Sequence, residues 1–360
     1  MTWFERLWGQ REPKGQQKIE DLFTVEEQKG RVYLTSQNNG RRVCAGYLKT
    51  PTLAEIRERY DELSSELEIN HMRSALSEYV GDVQELHCDP SNAGALFQVA
   101  SQVNLLEMAS PHTQPIDGVE IYEYDRTQGP ACAISAGAGT VYRNYFFPHG
   151  PSRTHRGQLN SQVNTLDDLH KRLLTIAQQQ QTTSDSTEII NALWPTKNGY
   201  VLPNTSELHK INTLLRSVSE VELDRLRSLC KIGVHCEVEV TLDPILESKG
   251  YTVNQAYCSA LPIGYSQAPT ELWEPFARLV LEAAYEHTLK SAAINYMQGG
   301  SPRVFLTKIG GGVFQNPDEW IYTAIDRALK SVDKIGLDVQ IVSYGKSERS
   351  TRSFIERWCI

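Results

Sequence analysis

Between residues 252 and 343 the chain switches repeatedly between two apolar periods, and this alternation restricts the fold more than any other feature. TVNQAYCSALP (252–262) is a short apolar run of strand character. Residues 271–297 then place Leu272, Phe276, Leu279, Val280, Ala283 and Ala284 on one helical face. RVFLT (303–307) reads as a strand, 317–331 as a helix and DVQIVS (338–343) as a strand. The second helix carries its own stripe of Ile321, Ala324, Ile325, Ala328, Leu329 and Val332. Strand–helix–strand–helix–strand with short connections predicts a largely parallel sheet covered by helices.

The remainder is less regular. Residues 1–30 are polar, rich in Lys, Glu and Gln, and predict a loosely packed lead-in. RVYLTSQNNGRRVCAGYL (31–48) has the pattern of a hairpin around Asn-Asn-Gly. Residues 52–68 predict a helix with Leu53, Ile56, Tyr60 and Leu63 on one stripe. Strands are expected at 83–87, 95–100 and 119–124, the last (VEIYEY) leading into Asp125. Gln128-Gly129-Pro130 then opens a helix of small residues, since proline near a helix start forfeits no intrahelical hydrogen bond. Helical patterns at 165–177 and 206–230 flank 176–187, the best candidate for a linker or surface loop.

A formal net charge of −8 argues against nonspecific nucleic-acid binding, which needs an excess of Lys and Arg. No apolar run reaches the roughly 20 residues of a bilayer-spanning helix, and the start of the chain lacks a secretory apolar core. The 7 cysteines are scattered without a CxxC pair, which fits reduced thiols in a cytoplasmic setting better than disulfides or zinc. His87, His112, His235 and His287 show no metal spacing, and no cofactor is expected. Cys132 and Cys258 sit in apolar runs and read as inert thiols. Arg143-Asn144 serve equally well as ligand contacts or as members of a structural ion pair.

The stretch FLTKIGGGVFQNPDEW (305–320) carries the clearest chemical signal. Gly310, Gly311 and Gly312 follow an apolar strand and lead to a helix for which Asn316 is the expected N-cap, Pro317 the first residue and Glu319 the capping-box partner. Glycines tolerate positive φ and leave no Cβ between backbone N–H groups and an anion. The helix start adds a favourable dipole, so strand, loop and helix together predict a grip for a diphosphate. No Lys-Ser/Thr follows the glycines, and GxGxxG is absent, which removes the P-loop and the dinucleotide-binding Rossmann fold. Upstream, Asp117, Glu120, Glu123 and Asp125 form an acidic cluster, and strand alternation would put Glu123 and Asp125 on one face.

Four stretches, 81–108, 118–146, 255–265 and 305–321, resemble the macrodomain superfamily of ADP-ribose-binding proteins, in its MavL-type, arginine-specific hydrolase branch. The resemblance implies a three-layer α/β/α fold with a mixed sheet, an N-terminal extension (1–75, hairpin plus helix), a catalytic domain over 76–345 with a helical insertion at about 150–245, and a tail at 346–360. It implies adenine recognition by Asp82. It also implies ADP-ribose contacts from Gln102, Gln128, Gly129, Gly310, Gly311, Gly312, Val313, Phe314 and Asn316. Val99-Ala100-Ser101-Gln102 stands where the family has Asn-Ala-Ala-Asn. The activity implied is release of ADP-ribose from arginine on a modified protein, ubiquitin among the carriers, with Asp125, then Asp117, then Glu123 at the scissile bond. Cleavage builds positive charge on the ribose, which carboxylates stabilise while holding the guanidinium. A reader that binds ADP-ribose without cleaving it is the alternative.

Overall fold

The computed structural model describes residues 1–66, 72–181, 192–242 and 250–358. Residues 182–187 of the expected linker lie outside these, whereas 176–181 continue a helix. Nine strands form one mixed sheet: β1 (Phe23–Gln28), β2 (Arg31–Ser36), β3 (Arg42–Lys49), β4 (Ala75–Val80), β5 (Leu96–Ala100), β6 (Gly233–Glu239), β7 (Thr252–Cys258), β8 (Arg303–Leu306) and β9 (Asp338–Ser343). Their spatial order is β1-β2-β3-β6-β7-β5-β8-β9-β4. Strands β7, β5, β8, β9 and β4 run parallel, as the C-terminal alternation predicts. The hairpin β2–β3 and strands β1 and β6 form the antiparallel half.

Side chains alternate between the faces of each strand, and the core divides accordingly. On one face Leu96, Val304, Leu306, Val339 and Ile341 pack beneath α10 (Thr270–Met297) and α11 (Asp318–Lys330). That layer also holds α3 (Leu53–Glu66), α7 (Asp167–Gln181), α8 (Thr205–Ser217), α9 (Glu220–Ser228) and α12 (Arg349–Trp358). On the other face Phe97, Val99 and Phe305 pack beneath α4 (Val83–Cys88), α5 (Gln128–Ser135) and α6 (Gly137–Tyr145), with α1 (Trp3–Trp8) and α2 (Gln16–Leu22) beyond them. The result is the α/β/α, mixed-sheet arrangement expected. Among the described residues no helix is long and apolar enough to cross a membrane.

Several local expectations are corrected. Residues 1–30 are not loosely packed, because Trp3, Phe4, Leu7, Trp8, Ile19 and Leu22 are all buried. Residues 83–87 are helical rather than extended: the Asp82 carboxylate accepts the Gln84 N–H at 2.7 Å and caps the turn, and Val83 and Leu86, three apart, share the buried side. Residues 120–124 form a 3-10 helix, not a strand, which buries Val119 and Tyr122 together. The face shared by Glu123 and Asp125 in an extended chain therefore does not exist. The small-residue helix is two helices broken at Ala136, and the 206–230 region is also two.

Candidate functional site

The five parallel strands deliver their carboxyl ends to one edge of the sheet, where open α/β sheets place ligand crevices. The crevice is lined by Gly81 and Asp82 after β4, Ala100 to Gln102 after β5, Ala260 after β7, Thr307 to Gly312 after β8, and Val342 to Tyr344 at the end of β9. It comprises an inner cavity of about 260 Å³ and an outer one of about 700 Å³. Asp125, Thr127, Gln128, Thr307, Lys308 and Gly312 line both and form the waist between them.

The glycine loop is built from the inside. The Ile309 N–H donates to the Thr307 carbonyl and to the Tyr285 hydroxyl, each at 2.9 Å. The Asn316 N–H donates to the Gly310 carbonyl at 2.9 Å, and its side-chain amide donates to the Leu261 carbonyl at 2.9 Å. Asn316 is thus a buried brace of the loop, outside the cleft lining, and not the N-cap expected; Pro317 occupies that position. Nor do residues 317–320 line the crevice. Gly310 takes φ +74°, and a Cβ there would lie 2.4 Å from that of Ala260. Among the described residues the N–H groups of Gly310, Gly312, Val313 and Phe314 donate no hydrogen bond. Across the waist the N–H groups of Gln128 and Gly129, at the start of α5, are equally without an acceptor. Both sets line the same inner cavity, and donors left unspent there can hold an anion. Lys308 adds a cation at the waist, held by Asp318 at 3.2 Å and by Glu348, whose carboxylates raise its pKa against the effect of burial.

Other predicted residues are placed as follows. Gly310, Val313 and Phe314 line the inner cavity, Gly311 the outer and Gly312 both. Asp82 lines the outer cavity, as does the exposed Tyr344, while capping α4. Gln102 lines the inner cavity, but its side-chain oxygen accepts the Met108 N–H at 2.8 Å, so its visible work is to fold the 101–109 loop. The Gln128 amide bridges the Gln98 carbonyl at 2.7 Å and the Ala100 N–H at 3.0 Å. Gly129 permits close packing, since a Cβ would meet the Ala100 carbonyl oxygen at 2.0 Å.

The acidic cluster disperses. Asp125 stands at the waist, with Oδ1 accepting the Thr127 N–H at 2.9 Å. Asp117 is exposed, caps its own turn through the Gln114 N–H at 2.8 Å, and lines neither cavity. Glu123 reaches the outer cavity, but its carboxylate takes the Trp3 N–H at 2.5 Å and Arg6 at 3.3 Å. Sequence reading passed over Glu107, which lines the inner cavity and is paired with buried Arg143 at 3.1 Å. Burial pushes its carboxyl up to about 7, against the pull of the guanidinium. Arg143 also lies 3.7 Å over the Tyr257 ring, so its role is the ion pair and not the ligand contact. Leu105, whose carbonyl accepts from Arg143 at 2.6 Å, has φ +67°, a strained conformation that buried surroundings impose. Tyr200 and Tyr265 also line the inner cavity and cluster with Phe314 at 5.6 and 5.8 Å; no local pattern near residues 200 or 265 marks them.

Among the described residues no group of three or more His, Cys, Asp or Glu is placed to hold a metal. No family model matches the chain, and no curated protein does. Similar solved structures include a point variant of poly(ADP-ribose) glycohydrolase from Deinococcus radiodurans in complex with ADP-ribose, 11% identical over 87% of this chain and 95% of that one, with a TM-score of 0.45. They also include the poly(ADP-ribose) glycohydrolase of Thermomonospora curvata, 13% identical over 95% of this chain and 96% of that one, with a TM-score of 0.42.

Proposed function

We propose that this chain binds ADP-ribose in the crevice and hydrolyses the N-glycosidic bond joining it to an arginine side chain of a carrier protein. The single observation that carries the reading is Asp125 at the waist, lining the same inner cavity as two sets of unspent backbone donors. The diphosphate would lie between the glycine loop and the start of α5, with the adenosine in the outer cavity near Asp82 and the distal ribose in the inner one near Phe314. Among the described residues, one carboxylate oxygen of Asp125 has no hydrogen-bond partner. That oxygen can take a proton from water as the water oxygen bonds C1″. In the same displacement the C1″–N bond breaks, its electron pair leaves with the guanidine nitrogen, and the proton ends on that nitrogen. Asp117, exposed on the same loop and outside both cavities, is the candidate to hold the carrier's guanidinium, and Glu123, which reaches the outer cavity, is a second acidic candidate.

Incubating arginine-ADP-ribosylated protein with the chain, ubiquitin among the carriers tried, tests this. Free ADP-ribose should appear with the wild type and fall at least 100-fold with Asp125→Ala, while ADP-ribose binding by calorimetry persists; a base of this kind is worth about 10²–10⁴-fold. The engagement of Asp125, Asp117 and Glu123 with backbone N–H groups favours a second reading, a reader without turnover. Tight ADP-ribose binding with no release from arginine by the wild type would select it.

A further inference from the structure

The loop that ends in Asp125 does not hold its own shape. Its 3-10 turn at Glu120–Tyr124 closes through bonds such as Tyr122 N–H to Val119 O at 3.2 Å and Asp125 N–H to Tyr122 O at 3.1 Å. So short a turn is not stable by itself. Much of what fixes it comes from residues 1–12, to which the proposed function gives no role. One oxygen of Glu12 accepts the Val119 N–H at 3.0 Å and the Tyr145 hydroxyl at 2.6 Å, and the other accepts the Glu120 N–H at 2.6 Å. The Trp3 indole donates to the Val119 carbonyl at 3.2 Å, and the Thr2 hydroxyl bonds the Glu120 carboxylate. Gly118 allows this approach: its φ is +94°, and a Cβ would sit 2.4 Å from a Glu12 carboxylate oxygen. A half-buried carboxylate supplied from far away in sequence thus receives two consecutive backbone donors that the turn cannot satisfy internally.

We infer that Glu12 is a positioning residue, which with Trp3 and Thr2 clasps the Glu120–Tyr124 turn and so aims Asp125 at the waist. The inference rests on the hydrolase reading for its catalytic consequence, while the clasp itself is measured without turnover. Glu12, Trp3 and Thr2 line neither cavity, so the clasp should govern the reaction and not the grip.

The test uses the full chain with Glu12→Gln, whose NH2 in place of one carboxylate oxygen can only donate and so cannot accept one of the two N–H groups, and with the milder Thr2→Val. Amide exchange at Val119 and Glu120 should quicken at least tenfold in Glu12→Gln and less in Thr2→Val. For release of ADP-ribose from arginine-modified protein, kcat should fall at least tenfold in Glu12→Gln, while the Kd for ADP-ribose stays within threefold. Unchanged exchange at both amides, or kcat and Kd worsening together, would overturn the inference. A wild type without turnover would sink the hydrolase reading only, and the exchange rates would still decide the clasp. If Glu12→Gln fails to fold, Thr2→Val with unchanged exchange and unchanged kcat overturns it.

Discussion

Gly310 and Gly312 lie in one loop, yet the structure gives them opposite jobs, and alanine at each separates the jobs. Gly310 has φ +74°, a conformation that costs an L-residue about 1–2 kcal/mol. An alanine Cβ there would also stand 2.4 Å from the Ala260 Cβ and 2.6 Å from the Asn316 amide nitrogen. Both neighbours are buried, so the overlap must be relieved by backbone movement, at about 1–3 kcal/mol. Gly310→Ala should therefore destabilise the fold by about 2–5 kcal/mol. With an unfolding entropy of about 2.1 cal/mol/K per residue, a chain of 360 residues loses about 3–7 °C of Tm. Gly312 has an ordinary φ, and its Cβ would meet nothing within 4 Å. Gly312→Ala should leave Tm within about 1 °C, since surface changes of this kind stay within about 0.5 kcal/mol. It lines both cavities beside its own unspent N–H, so the added methyl should weaken ADP-ribose binding about tenfold, or about 1.4 kcal/mol. Differential scanning calorimetry and titration calorimetry read the two quantities. A Gly310→Ala protein with wild-type Tm, or a Gly312→Ala protein with wild-type affinity, would refute the division.

Acid should unfold the chain earlier than its carboxylates alone require. His87, His235 and His287 are buried and neutral, with pKa lowered to about 4, 3 and 4 by desolvation. Each therefore favours the fold above its unfolded pKa and loses that contribution as pH falls from about 6.5 towards the folded value, about 3 kcal/mol in full for His87 or His287. Urea midpoints taken from pH 7 down to pH 4.5 should fall steadily; a flat profile contradicts it. Glu107 works in the opposite sense: its folded pKa of about 7 exceeds the unfolded one, so its contribution is complete below about pH 4.5 and lost as pH rises through 7. Removing that opposing contribution, Glu107→Gln should gain stability more steeply than the wild type between pH 5 and 7, and a slope equal to the wild type's would count against it. At Asp82, alanine should cost about 1 kcal/mol through the lost cap of α4, whereas asparagine keeps the cap. Weaker ADP-ribose binding by Asp82→Asn at unchanged Tm would place the carboxylate at the adenine, and unchanged binding would remove it.

The parallel half of the fold was legible because its signals are local. The runs at 303–307 and 338–343 and the stripe from Ile321 to Leu329 each carry their own period, and β8, α11 and β9 follow them closely. The glycine loop was legible for the same reason. Residues 119–124 misled because VEIYEY alternates apolar and acidic residues like a strand, while what fixes it as a turn is Glu12, distant in sequence. Residues 83–87 misled because five residues are too few to show a helical period, the deciding cap being the neighbouring Asp82 side chain. The N-terminal residues looked like a solvated lead-in because their charges outnumber the aromatics Trp3, Phe4 and Trp8, which nonetheless set where the segment packs. Glu107 and Tyr200 gave no sign, since each acquires meaning only from Arg143 or Phe314 arriving from elsewhere in the chain.

This division between local and distant signals has a functional consequence. The donors proposed to hold a diphosphate arise from turns that follow their own strands or open their own helix, at Gly310–Phe314 and Gln128–Gly129. They are braced by neighbours in the same half of the sheet, such as Tyr285 and Asn316. The carboxylate at the waist is held differently, through a turn gripped by residues 1–12 and backed by Tyr122, whose hydroxyl accepts the Glu107 N–H at 3.1 Å. Damage to the parallel half should therefore lower affinity and rate together. Damage to the N-terminal clasp, or to the Glu107–Arg143 pair beneath the inner cavity, should lower the rate while the ligand is still held. On the hydrolase reading proposed above, a grip of local origin and a reacting group of remote origin can then be lost independently, which would turn a hydrolase into a reader on one scaffold.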